Sequence, residues 1–381
     1  MNVSPKENIE KILANQTPSR LVFAPNYWQW FAHHKNHGLL PEELQHCDEQ
    51  LDMINYLGLD VFSRNVYCRQ DEYWIGGICD EYFDGGRVET SVEFDNRNKI
   101  TEKRYHFRSG SLKEKLLYVF DESTVVQKEF LIQDYTNETS LFEHFVASRR
   151  WRFNKEKFEQ AQKKVGEKGI VIVGDFFSPL KMLHYTMGPV NSVYLLLENP
   201  EFARRLMDIH EKTQLDLVKE TVTNGAKVIM SMDNLDTMFH PPEYVEEYSA
   251  SFYEKASAIC HEHGAKFFIH ACGNQRDNLK LISSLKVDGL EGVAFPPLGD
   301  VELDEAMQMT SGNFIITGGI SAFETRDLKT RQEVFNYIEN LFAKMKPYKN
   351  RFILSASCNT AIDTGWETIK NFRDAWLEFR E

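Results

Sequence analysis

Short β-branched or aromatic runs recur along this chain with long amphipathic segments between them. That alternation restricts the fold more than any single motif does. Eight runs read as strands: residues 21–26, 59–65, 169–176, 226–233, 266–272, 289–293, 314–320 and 352–358. From the third onward, helical patterns separate them, at 244–263 (closed by Gly264), 277–285, 301–309, 328–345 and 366–379. Strands alternating with helices imply βαβ units on a parallel sheet. Eight such units predict an α/β fold, a (β/α)8 TIM barrel, whose active site is built at the carboxyl ends of the strands.

The stretch between the second and third strands is too long for a crossover. It holds Trp74-Ile-Gly-Gly-Ile-Cys79, Gly85-Gly86-Arg87, an alternating run at 88–94, a turn at Asn96-Arg-Asn and further alternation at 100–108. This pattern predicts a small antiparallel β insertion over residues 66–120 of one barrel domain spanning 1–381. A helix at 139–146 and a charged stretch at 149–168 lead back to the barrel.

Net charge is −13, which argues against the basic face that nucleic-acid binding needs. No run of about 18 apolar residues predicts a membrane span, and the first residues lack the apolar core of a signal peptide. Six cysteines without a tight framework point to a reducing, cytoplasmic setting, as thiols or metal ligands rather than disulfides.

Chemistry-bearing residues collect where the strands end. His270 and Cys272 close Lys266-Phe-Phe-Ile-His-Ala-Cys272, and Cys358 closes Arg351-Phe-Ile-Leu-Ser-Ala-Ser-Cys358. Residues i and i+2 of a strand share a face, so His270 and Cys272 can aim at one point. Two thiolates and one imidazole suit zinc and leave a fourth position open for chemistry. By spacing alone, His-x-Cys arises by chance and a lone cysteine is a small buried hydrophobe; the placement on strand ends is what favours a metal. Asp175, Asp233, Arg64 with Asn65, and Glu291 mark four further strands. Glu291 reads as a fourth ligand, a partner orienting His270, or an acid paired with a lysine. Asp233 and Asp236 read as substrate or proton-handling groups, or as helix caps. Tyr27, Trp28 and Trp30 read as pocket wall or as core. His240, ahead of two prolines, reads as helix entry, and His261 and His263 as a favourable helix C-terminus. Cys47, Cys68, Cys79 and Cys260 lack ligand spacing. Gly318-Gly319 reads as a tight turn or a close approach to phosphate.

His270-Ala-Cys272-Gly-Asn274, Met232-Asp-Asn-Leu-Asp236 and Leu354-Ser-Ala-Ser-Cys358-Asn together resemble the uroporphyrinogen decarboxylase superfamily. Within it they are similar to the zinc-dependent corrinoid methyltransferases. The resemblance covers about residues 165–380 well and the first 60 more loosely. It implies zinc held by His270, Cys272 and Cys358, and a corrinoid (cobalamin) carried by a partner protein. Tyr27-Trp-Gln-Trp30, followed by Gly38-Leu-Leu-Pro41-Glu-Glu, looks more like the subgroup that demethylates methyl ethers. The decarboxylases proper carry an arginine signature in the first loop, where this chain has aromatics and His33-His34. On this reading Asp233 and Glu291 are the expected catalytic carboxylates. Tyr27, Trp28, Trp30, Asn65, Asp175 and Asn234 are the expected substrate contacts. The expected reaction moves methyl from an O-methyl donor, a methoxylated aromatic, to a Co(I) corrinoid. Alternatives are a methylcorrinoid:thiol methyltransferase, a metal-free decarboxylase, and a non-catalytic scaffold. The inserted segment is a candidate lid, dimer contact or docking surface, and a homodimer is compatible with it.

Overall fold

The computed structural model describes residues 3–65 and 77–381. Eight parallel strands form its centre: β1 (Val22–Phe23), β2 (Val61–Ser63), β3 (in two pieces, Gly169–Val171 and Val173–Phe176), β4 (Val228–Ser231), β5 (Lys266–His270), β6 (Gly289–Val293), β7 (Ile315–Ile320) and β8 (Phe352–Ala356). A continuous sheet runs β1-β8-β7-β6-β5-β4-β3, and the first piece of β3 pairs with β2.

The expected ring of eight is therefore not closed by a ladder: among the described residues, no strand pairing joins β1 to β2. The cause is a side chain. The Phe23 amide donates to the Asp60 carboxylate at 3.0 Å rather than to a β2 carbonyl. Asp60 is held there by Arg20 at 2.7 Å. One main-chain bond, from the Asp60 amide to the Phe23 carbonyl at 3.0 Å, spans the gap.

Strand alternation sorts the core into two shells. Val22, Phe62, Ile170, Ile172, Val228, Met230, Phe268, Ile315 and Ile353 pack together inside the strands. The helix Pro5–Leu13 plugs their amino end with Ile9, Ile12 and Leu13. Residues of the opposite parity, such as Ile229, Phe267, Ile269, Leu290 and Leu354, pack outward in the main cluster beneath the surrounding helices.

The insertion is a four-stranded antiparallel meander, Arg87–Asp95, Asn98–Phe107, Gly110–Val119 and Thr124–Glu129, so it runs past the expected boundary at 120. Tyr105 and Leu112 cover Phe142 and Phe145 of the helix Thr139–Ser148, while the first strand is exposed throughout. A two-stranded ribbon, Cys79–Phe83 with Arg149–Phe153, ties it to the barrel. Cys68 and Trp74 lie outside the described residues. The pattern at 244–263 resolves into two helices, Pro242–Tyr248 and Ala250–Glu262. Among the described residues, no helix is long and apolar enough to cross a membrane.

Candidate metal centre

Phe268 points inward, so by alternation His270 and Cys272 do as well, at the carboxyl end of β5. Cys358 follows the end of β8. One ligand atom from each of the three lies within 4.8 Å of the others, the one such group among the described residues. His270 is 1% exposed, while both cysteines are half-buried and reach toward solvent. All five described cysteines are free.

The parallel register sets His270 opposite Glu291 of β6. Its Nδ1 bonds to the Glu291 carboxylate, which leaves Nε2 for the sulfurs. Arg64, at the end of β2, donates its Nε to the same carboxylate oxygen at 3.2 Å. Burial alone would raise the Glu291 carboxyl; the Arg64 guanidinium and the His270 ring overrule it and bring it down to about 2. Burial alone pushes the His270 ring down, but the facing Glu291 carboxylate turns the net direction upward.

An amide chain carries the arrangement around the strand ends. Arg64 donates to Asn65 Oδ1 at 3.1 Å, and Asn65 Nδ2 to Asn26 Oδ1 at 2.9 Å. Asn26 Nδ2 then reaches the Cys358 carbonyl at 3.0 Å. Asn234 performs a similar service for Cys272. Its Oδ1 accepts the Cys272 amide at 3.1 Å and lies 2.7 Å from the Cys272 sulfur, from a left-handed backbone that asparagine tolerates (φ 53°). The two thiols share their protons unequally. The hydrogen bond from Cys272, and then His270, draw Cys358 well below an ordinary thiol against the effect of burial. The same bond, then burial, pushes Cys272 well above it. The donor set, one imidazole and two sulfurs with the far imidazole nitrogen already held by a carboxylate, fits zinc.

The other expected site residues fall elsewhere. Asp175 and Asp233 carry outward parity. Asp233 is fully enclosed and accepts from the Ser178 amide (2.7 Å), Ser231 (2.6 Å) and Tyr253 (2.8 Å). It pins helix starts behind β4 rather than facing the metal centre. Asp175 accepts the amides of Gly77 and Ile78 at 2.8 and 3.3 Å, where the insertion rejoins the described chain; burial pushes its carboxyl up to about 6. Trp30 is 0% exposed, with its indole N–H on the Thr364 carbonyl at 2.9 Å, and Tyr27 joins the same core. Both are core, not pocket wall. Trp28 is also buried, its amide on Asn26 Oδ1 at 3.2 Å. Asn65 is 3% exposed and serves the amide chain. Asp236 accepts from Met238 and Asn274 amides, and a Cβ on Gly273 (φ +89°) would lie 2.0 Å from its carboxylate. Glycine is what lets those two loops touch.

Three residues beside the centre drew no functional reading from the sequence. Asn26 and Arg64 were legible only as strand ends. Lys181 lies in the first turn of the helix Pro179–Glu198, close enough to Asp233, and then to Cys272, for their charges to couple. A cation there opposes the helix dipole, a signal readable in Ser178-Pro-Leu-Lys181.

A family model described as uroporphyrinogen decarboxylase (URO-D) matches residues 121–379. A methyltransferase from Methanosarcina mazei has a similar structure, with TM-score 0.61 and 12% identity over 99% of this chain and 99% of that one. At that identity the likeness establishes the fold. A D-psicose 3-epimerase solved with D-tagatose, from Clostridium cellulolyticum H10, gives TM-score 0.36 and 10% identity over 60% of this chain and 83% of that one. No curated protein matches the sequence.

Proposed function

The chain belongs to the uroporphyrinogen decarboxylase family, and we propose that within it the protein is a zinc-dependent methyltransferase, moving methyl from an O-methyl donor to the Co(I) corrinoid of a partner protein. The observation that carries this reading is the convergence of His270, Cys272 and Cys358 at the ends of β5 and β8. When bound, zinc would supply Lewis acidity to the ether oxygen, which makes the alkoxide or phenolate a better leaving group.

The protein's own residues prepare that centre. Glu291 fixes the His270 ring, and Arg64 keeps Glu291 ionised. Asn26 and Asn234 hold the main chain at Cys358 and Cys272, so neither sulfur depends on its own rotamer alone. Two thiolates offset the charge of a divalent ion, which leaves an anionic product free to depart. Exposed Met238 and Phe239 on the loop after β4 suit an aromatic donor. The helix Trp28–His37 after β1 carries His33-His34 where the resemblance would put the decarboxylases' arginine, which weighs against decarboxylation.

The test mixes zinc-loaded protein, a methoxylated aromatic and a chemically reduced corrinoid, and follows the absorbance of Co(I). Conversion to methylcobalt with release of the phenol is expected, with none in Cys272→Ser. Methyl transfer from methylcobalamin to a thiol, with no ether cleavage, would instead assign the thiol reaction to the same ligands.

A further inference from the structure

Near Asp233 and Cys272, polar groups lie without hydrogen-bond partners among the described residues. Lys181 Nζ forms no ion pair or hydrogen bond among the described residues; its neighbour is the Tyr185 ring at 4.8 Å. His240 is 2% exposed, and neither of its ring nitrogens has a partner among the described residues. His184, 9% exposed, packs its ring 4.7 Å from that of His240 and makes no hydrogen bond among the described residues. Asp233 is engaged by three other donors and Asp236 by two amides, and neither forms a hydrogen bond or ion pair with Lys181 among the described residues.

An ammonium in this position is unfavourable twice over. It is largely desolvated, and it sits at the positive end of a helix. Unpartnered imidazoles add further desolvation without compensation. All three side chains offer N–H donors or positive charge, and no described protein acceptor lies within hydrogen-bond reach of them; the nearest opposite charges, Asp233 and then Cys272, act on Lys181 only at longer range. A cation is excluded by Lys181 itself. The missing component is therefore an anion with several acceptor oxygens.

We propose that Lys181, His184 and His240 form a binding subsite for an organic oxyanion, a carboxylate on the substrate whose methyl group is presented at the neighbouring metal centre. Lys181 supplies the charge, and each imidazole donates one N–H to a carboxylate oxygen. The role as a substrate anchor rests on the methyl-transfer reading; the preference for an anion does not.

The test is isothermal titration of the full chain with sodium benzoate and with neutral benzyl alcohol, zinc-stripped and zinc-loaded. Benzoate is expected to bind at least about tenfold more tightly than benzyl alcohol in both forms, an electrostatic preference of about 1.4 kcal/mol. Lys181→Met should remove that preference and leave benzyl alcohol within about twofold. His240→Asn serves as a second variant should Lys181→Met fold poorly, and should weaken benzoate severalfold. Equal binding of the two probes, no benzoate binding by the wild type, or an unchanged preference in both folded variants overturns the subsite. Sodium acetate and phosphate are run alongside: binding of either as tight as benzoate would make this a site for free inorganic or small anions, and overturn the substrate role. A retained benzoate preference in protein that moves no methyl would sink the methyl-transfer reading and leave the subsite standing.

Discussion

Cys272 stands between two polar neighbourhoods that the fold treats in opposite ways. On one side, Glu291, Arg64, His270, Asn65 and Asn26 form a buried network joined from residue to residue by side-chain hydrogen bonds. On the other, buried His184 and His240 and half-buried Lys181 make no hydrogen bonds through their side chains among the described residues. A satisfied buried network rigidifies what it holds. An unsatisfied one lowers stability until something arrives to complete it. The contrast teaches a division of labour: one flank fixes side chains that could hold a metal, and the other leaves donors free for the proposed ligand.

The largest effect should come from breaking the satisfied flank. Glu291→Gln leaves Arg64 buried without its counter-charge, and should reduce stability by about 3–5 kcal/mol in urea denaturation. Chelator competition should show metal affinity about 10–100-fold weaker. An unchanged affinity would mean that Glu291 does not orient His270. Asn26→Ala removes a link shared by Asn65 and Cys358, and should reduce stability by about 1–3 kcal/mol; a neutral result would make the amide chain dispensable.

The open flank should declare itself in acid. Burial first, then neighbouring positive charge, brings His184 down to about 3 and His240 to about 2. The unfolded rings take up protons near pH 6.5, so below that the unfolded state binds more protons than the native one. Stability is fully present above about pH 6.5 and falls on acidification, by up to about 1.4 kcal/mol per pH unit for each ring. The double variant His184→Asn, His240→Asn should flatten that slope in pH-dependent unfolding; the same slope in the variant would place its origin elsewhere. Smallest, and of opposite sign, Lys181→Met should leave the ligand-free protein unchanged or up to about 1 kcal/mol more stable, because it removes a desolvated charge. A clear loss of stability would show that Lys181 has a partner in the native protein.

Periodicity made all eight strands legible, along with His270 and Cys272 as one inward pair. The same parity, carried one step further, places Asp233 opposite Met232 and Asp175 opposite Ile172, both outward; ending a strand is not the same as facing its axis. The break between β1 and β2 was not legible, because Asp60 makes it through a side chain. Nor was the link from Asn26 to Cys358, which joins residues far apart in sequence that the pairing of β1 with β8 brings together. Trp30 looked like pocket wall because aromatics serve in both places. Its hydrogen bond to Thr364, a residue from the last loop, decides for the core.

The central claim is that His270, Cys272 and Cys358 hold one zinc ion. Elemental analysis of purified wild type beside Cys358→Ser, both checked for folding by circular dichroism, tests it most directly. About one zinc per wild-type chain and almost none in the variant is expected. A folded wild type that takes up no zinc even when it is supplied, or a variant that retains a full equivalent, would contradict it.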